Sequence, residues 1–177
     1  MPNWCTNRLE VSGKDSNIKS FLQFIKGKDG DGESLVFDFE KVSPTPPELL
    51  AVGSPNTDKE LAEVLKEKYG AEDWYQWRLN NWGTKWNLSP DIEWDVHKGL
   101  VILLFDTAWS PPLIIMKALG IKFPNLSFSM TYCEPGMGFA GLYEVKGTEI
   151  IGKVYDWQKD KSDYEIIAKD FGYDLSC

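Results

Sequence analysis

Four of the eight tryptophans in this 177-residue chain lie in one segment, residues 74–87, which also contains one arginine, one lysine and three asparagines. Indole rings stack on planar ligands such as nucleic-acid bases, and cations pair with the phosphates of such ligands. We therefore predict that Trp82 and Trp86 hold a planar ring between them. The same residues also fit a structural role, in which the rings cap an open sheet face and the asparagines satisfy turns. The side chains that the binding prediction brings together are Arg78, Asn81, Trp82, Lys85, Trp86 and Asn87.

Two carboxylates are the candidates for catalysis. Asp106 interrupts an apolar strand and Glu134 lies at a strand end, so the two could act as an acid–base pair. No nucleophile–base arrangement accompanies them, because the single histidine, His97, falls in a predicted hairpin turn. A carboxylate on an apolar strand also needs a partner, and Arg8 on the first strand is the expected one. The sequence therefore favours binding over catalysis and leaves an enzyme using Asp106 and Glu134 as an alternative.

Three further patterns indicate little chemistry. Residues 136–141 match GxGxxG, but the residues after them alternate like a strand, whereas a dinucleotide site needs a helix there. Asp91, Glu93 and Asp95 share one strand face, where a solvated edge is favoured over a metal site. The three cysteines are far apart and form no Cys/His cluster. We therefore expect neither a metal nor a cofactor.

The charge balance disfavours nucleic acid. With 19 basic and 27 acidic residues, the net charge is −8 and no basic patch is visible, which argues against duplex binding. The predicted open sheet face lacks the stacking aromatics that single-stranded RNA needs.

No apolar run approaches the roughly 20 residues of a membrane span, and the N-terminus does not resemble a signal peptide. We predict a cytoplasmic protein with no membrane contact; its oligomeric state is left open.

The order of the elements predicts an α+β fold, a ferredoxin-like split β-α-β sandwich. Its helices 16–26 and 111–119 would cover one face of a four-stranded antiparallel sheet. Ser110 is expected to cap the second of these helices and Gly120 to end it. We predict one domain over residues 1–177, with a Trp-rich helical insertion at about 44–90. A C-terminal hairpin plus helix would follow at about 139–177. Alternation predicts strands at 5–13, 35–40, 92–96, 100–109, 126–133, 139–145 and 150–157; helices are also predicted at 58–70 and 164–171.

Four motifs resemble the YubB-type ferredoxin-like family of phages, prophages and conjugative plasmids. The resemblance implies the ferredoxin-like fold and an origin in a mobile element, and it implies no general activity. The motifs are Met1-Pro2-Asn3-Trp4-Cys5-x-Asn7-x-Leu9-x-Val11-x-Gly13, Asn81-Trp82-Gly83-Thr84-Lys85-Trp86-Asn87, Phe105-x-Thr107-x-Trp109-Ser110-Pro111-Pro112 and Tyr132-x-Glu134-Pro135-Gly136-x-x-Phe139-x-Gly141.

Together these patterns predict a non-enzymatic binding protein of a mobile element, with counter-defence as one role. Its ligand would be a small nucleotide-type molecule sequestered in an aromatic pocket. The alternatives are an interaction module that inhibits a host protein, and the enzyme described above. The predicted ligand-binding residues are Asn7, Arg78, Asn81, Trp82, Lys85, Trp86, Trp109, Glu134 and Tyr143.

Overall fold

A computed structural model describes residues 3–173, which form a six-stranded antiparallel sheet, a two-stranded hairpin and seven helices. The strands are β1 Trp4–Ser12, β2 Gly27–Lys28, β3 Ser34–Leu35, β4 Glu93–His97, β5 Leu100–Ala108, β6 Ser127–Glu134, β7 Phe139–Lys146 and β8 Glu149–Asp156. The helices are α1 Asp15–Ile25, α2 Phe39–Val42, α3 Pro47–Leu50, α4 Lys59–Tyr69, α5 Trp74–Asn81, α6 Leu113–Lys122 and α7 Lys161–Asp170.

The strand order of the large sheet is β4-β5-β1-β6-β7-β8. Its first four strands, joined through α1 and α6, have the order of a split β-α-β sandwich, which confirms the predicted α+β ferredoxin-like class. Strands β7 and β8 extend the sheet as the predicted C-terminal hairpin.

The main core lies between this sheet and helices α1 and α6. Because side chains alternate along a strand, one face of β1 presents Cys5, Leu9 and Val11, all fully buried. Each such apolar side chain contributes about 1.5–3 kcal/mol on burial. The core residues that face them from β5 and the two helices are Val101, Leu103, Phe105, Ile18, Phe21, Ile25, Ile115, Met116 and Leu119.

The strand predicted at residues 35–40 is wrong. Leu35, Phe37 and Phe39 are buried, as the alternation predicts, but only Ser34–Leu35 pairs as a strand. The Asp38 carboxylate accepts a hydrogen bond from the Glu40 amide and caps α2 instead. The second strand of the split β-α-β unit is β4, so residues 26–92 separate α1 from it.

Two predicted boundaries of α6 are also wrong. The helix begins at Leu113 without a side-chain cap, because the Ser110 hydroxyl donates to the Gly83 carbonyl instead. Gly120 lies inside the helix rather than at its end. A Cβ at Gly120 would meet Val145 on β7, so the glycine allows close packing of helix on sheet.

Helix α7 packs on the opposite face of the sheet. Its residues Tyr164, Ile167 and Ala168 contact Cys133, Ala140 and Tyr155 on β6, β7 and β8. At the end of α7, Asp170 lies 2.6 Å from an Arg8 nitrogen, so the predicted ion pair between Arg8 and Asp106 is wrong. Asp106 is exposed, because α7 leaves the β1, β5 and β4 part of this face uncovered.

Within the described chain, no helix has both the length and the apolar character that crossing a bilayer requires.

Candidate functional site

The tryptophan-rich segment divides into two groups, of which the first lies in the core. Trp82 is fully buried, and its Nε1 donates to the Ser43 carbonyl over 2.7 Å. Its ring packs edge-on against Phe39 and Trp77, with centroids 5.6 and 6.4 Å away. We call Phe39, Trp74, Trp77 and Trp82, with Arg78, the inner aromatic group. The predicted sandwich of a ligand between Trp82 and Trp86 is therefore corrected, because Trp82 has no exposed surface.

Arg78 is fully engaged inside the inner aromatic group. Its guanidinium donates to Glu40 over 2.8 Å and to Thr45 over 3.1 Å. The same plane lies 4.4 Å from the ring centroid of Trp82 and 5.2 Å from that of Trp74. With only 16% of its side chain exposed, Arg78 does not face a ligand phosphate.

The second group of rings reaches the surface: Trp4 and Trp109 are exposed, and Tyr75 and Trp86 are half-buried. Trp86 and Trp109 are nearly parallel, at 28° with centroids 6.3 Å apart, and Trp4 lies 5.9 Å from Trp86. Tyr75 lies 6.4 Å from Trp109. Trp4 and Trp109 keep 45% and 37% of their surface exposed. We call Trp4, Tyr75, Trp86 and Trp109 the outer aromatic surface.

Lys85 is the cation of the outer aromatic surface. Its ammonium lies 4.7, 5.1 and 5.3 Å from the ring centroids of Trp86, Tyr75 and Trp109. Rings around an ammonium at these distances attract it through their quadrupoles, by about 0.5–1 kcal/mol at an exposed site. Among residues 3–173, Lys85 forms no ion pair.

The ends of two neighbouring strands position these rings. In the antiparallel register, Trp4 at the start of β1 lies opposite Ala108 at the end of β5. The loop after α5 is fastened to the same point, because the Thr84 hydroxyl donates to the Ala108 carbonyl over 3.0 Å. The bond from Ser110 to Gly83 adds a second link. Trp86 is thereby held beside Trp4 and Trp109.

Trp109 has an unusual backbone. Its φ is +65°, which makes it the one non-glycine residue with positive φ in the described chain. This conformation costs a bulky residue about 1–3 kcal/mol and persists where the surroundings impose it. Here the Trp109 amide donates to the Asn3 carbonyl over 2.9 Å. The hydrogen bond holds this conformation, and 37% of the residue's surface remains exposed.

An open cleft of about 790 Å³ adjoins the outer aromatic surface, on the sheet face that α7 leaves uncovered. Trp4 and Trp86 line one side, and the remaining lining is rich in carboxylates and, among residues 3–173, contains no lysine or arginine. The side chains that line it include Thr6, Leu88, Asp91, Ile92, Glu93, Leu104, Phe105, Asp106, Asp170 and Phe171.

Asp106 and Glu134 do not form an acid–base pair. Thr6 lies opposite both Asp106 and Cys133, so these three side chains share one sheet face, and Glu134, the next residue, points to the other face. The Glu134 carboxylate is buried and accepts the amides of Gly136 and Met137. It organises the turn before β7, and it uses two amides of the glycine-rich loop in doing so.

The other predicted site residues have structural partners. Asn7 is fully buried and donates to the carbonyls of Cys5 and Phe105 and to the Thr107 hydroxyl. Asn81 donates to the Trp77 carbonyl. Tyr143 lies opposite Met130 on the sheet face that α1 and α6 cover, away from the strand ends that carry Trp4 and Trp109. Of the predicted set, the outer aromatic surface contains Lys85, Trp86 and Trp109.

Trp4 and Tyr75 are the residues of this surface that the predicted set lacks. Trp4 could have been found, because the predicted topology pairs β1 with β5 and so places the start of one strand beside the end of the other. Tyr75 could not, because its position depends on where α5 begins. The Asp73 carboxylate fixes that start by accepting from the Gln76 amide.

Comparison with known proteins places the chain in a family. The model of the family described as "ferredoxin-like domain in Api92-like protein" matches residues 81–171, just over half of the chain. The chain belongs to this family. The matched part contains Lys85, Trp86, Trp109 and the cleft carboxylates, whereas Trp4 and Tyr75 precede it.

The solved structures include a similar fold. The crystal structure of protein api92 from Yersinia pseudotuberculosis matches with a TM-score of 0.55 and 12% sequence identity. The match covers 88% of this chain and 98% of the other, and at this identity it shows the fold alone. A search of curated proteins finds no match.

The described thiols are protected by burial. Burial raises the pKa of the Cys133 thiol to about 11 and raises that of Cys5 well above its ordinary value. Both are therefore protonated at neutral pH, and neither is an activated nucleophile. Among residues 3–173, no group of three or more His, Cys, Asp or Glu side chains is arranged to hold a metal ion.

Proposed function

We propose that this chain is a non-enzymatic binding protein that docks a host protein on the outer aromatic surface. The observation that carries the proposal is that Trp4 and Trp109 are exposed at the ends of two neighbouring strands, with the half-buried Trp86 beside both rings. Tryptophan and tyrosine dominate the energetics of protein interfaces, because large rigid rings bury much surface at little cost in conformational entropy. The strained backbone at Trp109 supports the same interpretation.

The charges near the surface favour a protein over a phosphorylated ligand. Arg78, one of the two cations expected to face phosphates, is paired with Glu40. The cleft beside Trp4 and Trp86 carries four carboxylates, and the net charge of the chain is −8. These charges repel a polyanion and attract a basic protein surface.

A small nucleotide-type ligand is the second candidate. The observation in its favour is the nearly parallel pair of Trp86 and Trp109, with the Lys85 ammonium beside both rings. Native mass spectrometry of protein purified from bacteria tests it. Extra mass in the range of a nucleotide, lost in Lys85→Ala and Trp109→Ala, would support this candidate over the protein partner.

The biological setting is part of the proposal. The four motifs that resemble the YubB-type family support an origin in a phage or conjugative plasmid, and action in the cytoplasm of the bacterial host. In that setting, binding a host protein would inhibit it, with counter-defence as one outcome.

Quantitative capture from bacterial lysate tests the proposed function. The tagged wild-type chain is compared with the double variant Trp86→Ala/Trp109→Ala. A matched control is Val64→Ala/Ile166→Ala, which removes two side chains that are 59% and 68% exposed elsewhere. We expect a discrete host protein to be retained by the wild type and the control and lost at least tenfold in the tryptophan variant. Equal retention by all three would refute the proposed function.

A further inference from the structure

We propose that the cleft beside Trp4 and Trp86 binds an arginine side chain carried by a basic segment of the partner protein. The inference rests on the proposed function and adds the chemistry by which the partner is recognised.

Most carboxylates that line the cleft have no ion-pair partner among residues 3–173. Asp91, Glu93 and Asp106 are exposed, and none of them forms an ion pair among residues 3–173. Asp170, the fourth carboxylate, already lies 2.6 Å from Arg8. The lining residues thus leave three negative charges without a partner, and these charges attract a cation into the cleft.

Two of these carboxylates stand close together over the sheet. Glu93 on β4 lies opposite Leu104 on β5, and Asp106 is two residues further along the same face. Diagonal neighbours of this kind are roughly 7–8 Å apart in an antiparallel sheet. A guanidinium, with donors on both of its edges, can bond to one carboxylate on each side at that separation.

The wall of the cleft selects a planar cation. The rings of Trp4 and Trp86 lie 5.9 Å apart at 44° and offer indole surface to a flat group. A guanidinium stacks on such a face and remains able to donate hydrogen bonds in its own plane. An ammonium lacks the flat face, and a phosphate has the wrong charge.

Both arginines of the chain already use this combination. The Arg78 guanidinium lies 4.4 Å from the Trp82 ring and 2.8 Å from Glu40. The Arg8 guanidinium lies 5.9 Å from the Phe171 ring, beside Asp170, at the margin of the cleft. The cleft presents the same two elements, aromatic rings and carboxylates, without an arginine of its own.

An NMR titration of the full-length chain tests the inference. The probe is a glycine–serine peptide with blocked termini whose one charged residue is a central arginine, and matched peptides carry lysine or citrulline, the neutral isostere of arginine. We expect the indole N–H signals of Trp4 and Trp86 to shift saturably with the arginine peptide. Affinity should fall at least fivefold for lysine and be lost for citrulline.

Variants that remove carboxylates test whether the arginine peptide binds in this cleft. Glu93→Gln/Asp106→Asn should weaken binding of the arginine peptide at least tenfold, with the thermal midpoint of unfolding nearly unchanged. Glu144→Gln/Glu149→Gln removes the same charge from a separate cleft on this face and should leave binding unchanged. Equal shifts with citrulline, stronger shifts with adenosine monophosphate, or no effect of the Glu93/Asp106 variant would overturn the inference.

The two proposals fail separately. If lysate capture depends on Trp86 and Trp109 while the arginine peptide does not bind, the arginine site is wrong and the docking surface stands. If the arginine peptide binds as expected while capture is insensitive to the tryptophans, the host-protein function is wrong and the arginine site stands.

Discussion

The inner aromatic group and the outer aromatic surface come from one stretch of sequence and have opposite surroundings. Each has a cation beside tryptophan rings: Arg78 in the inner group and Lys85 in the outer one. Arg78 has a carboxylate partner, Glu40 on α2, whereas Lys85 has no such partner within the described residues. Residue type alone therefore does not separate a packing cluster from a binding surface. What separates them is whether other elements already satisfy the rings and the charge.

The largest effect should come from truncating the inner ring. Trp82→Ala removes a fully buried side chain and its hydrogen bond to Ser43, and should lower the free energy of unfolding by about 3–5 kcal/mol. Trp86→Ala, in the outer surface, should cost less, about 1–2 kcal/mol, because that ring is only half-buried. Urea denaturation of both variants measures the difference. Similar losses for the two would remove the distinction between the groups.

Removing the inner cation, Arg78, should destabilise the protein more than removing the outer cation, Lys85. Arg78→Met leaves Glu40 and Thr45 without a donor in a mostly buried site, so we expect a loss of about 2 kcal/mol. Lys85→Met removes a cation that contacts only rings and should change stability by less than about 0.5 kcal/mol. Urea denaturation measures the free energy of unfolding of both variants. A larger loss for the lysine variant would contradict the assignment.

Buried groups should also make the protein sensitive to alkali. The Cys133 thiol is protonated in both states below its ordinary pKa of 9.0. Between about pH 9 and 11 only the unfolded chain loses this proton, because the pKa of Cys133 is about 11 in the folded state. Stability should therefore fall through that window by about 1–2 kcal/mol from this group. Cys133→Ala should flatten the pH dependence of the unfolding free energy; an unchanged slope would show that Cys133 is not its source.

The smallest effect concerns the strained backbone of the outer surface. At Trp109, with φ of +65°, glycine is favoured over alanine by about 1 kcal/mol. Trp109→Gly should therefore be more stable than Trp109→Ala by that amount, although both lose the same ring. If alanine is as stable as glycine there, the backbone is not strained in solution.

Much of the fold was predictable, because alternation is a local property. Strands β1, β5, β6, β7 and β8 and helix α4, predicted at 58–70, lie close to their predicted positions. Residues 35–40 alternate equally well, yet most of them form no strand. Whether an alternating segment pairs depends on a free sheet edge, and β4 occupies the position that this segment would have taken.

The site was predictable only in part. Lys85, Trp86 and Trp109 lie together at the outer aromatic surface, whereas Trp82 is interior, because Phe39 and Ser43 in the segment between α1 and β4 cover it. These contacts join residues about 40 positions apart, and no local pattern encodes them. The same is true of Arg78, whose partner Glu40 lies at a similar separation in sequence.

Site-specific photo-crosslinking in bacterial cells tests most directly whether the outer aromatic surface is a docking site. A photoreactive phenylalanine replaces Trp109, and, as a control, Val64, which is exposed on α4. We predict a discrete crosslinked host protein from position 109 and none from position 64. No crosslink at position 109, or the same product from both positions, would contradict the assignment.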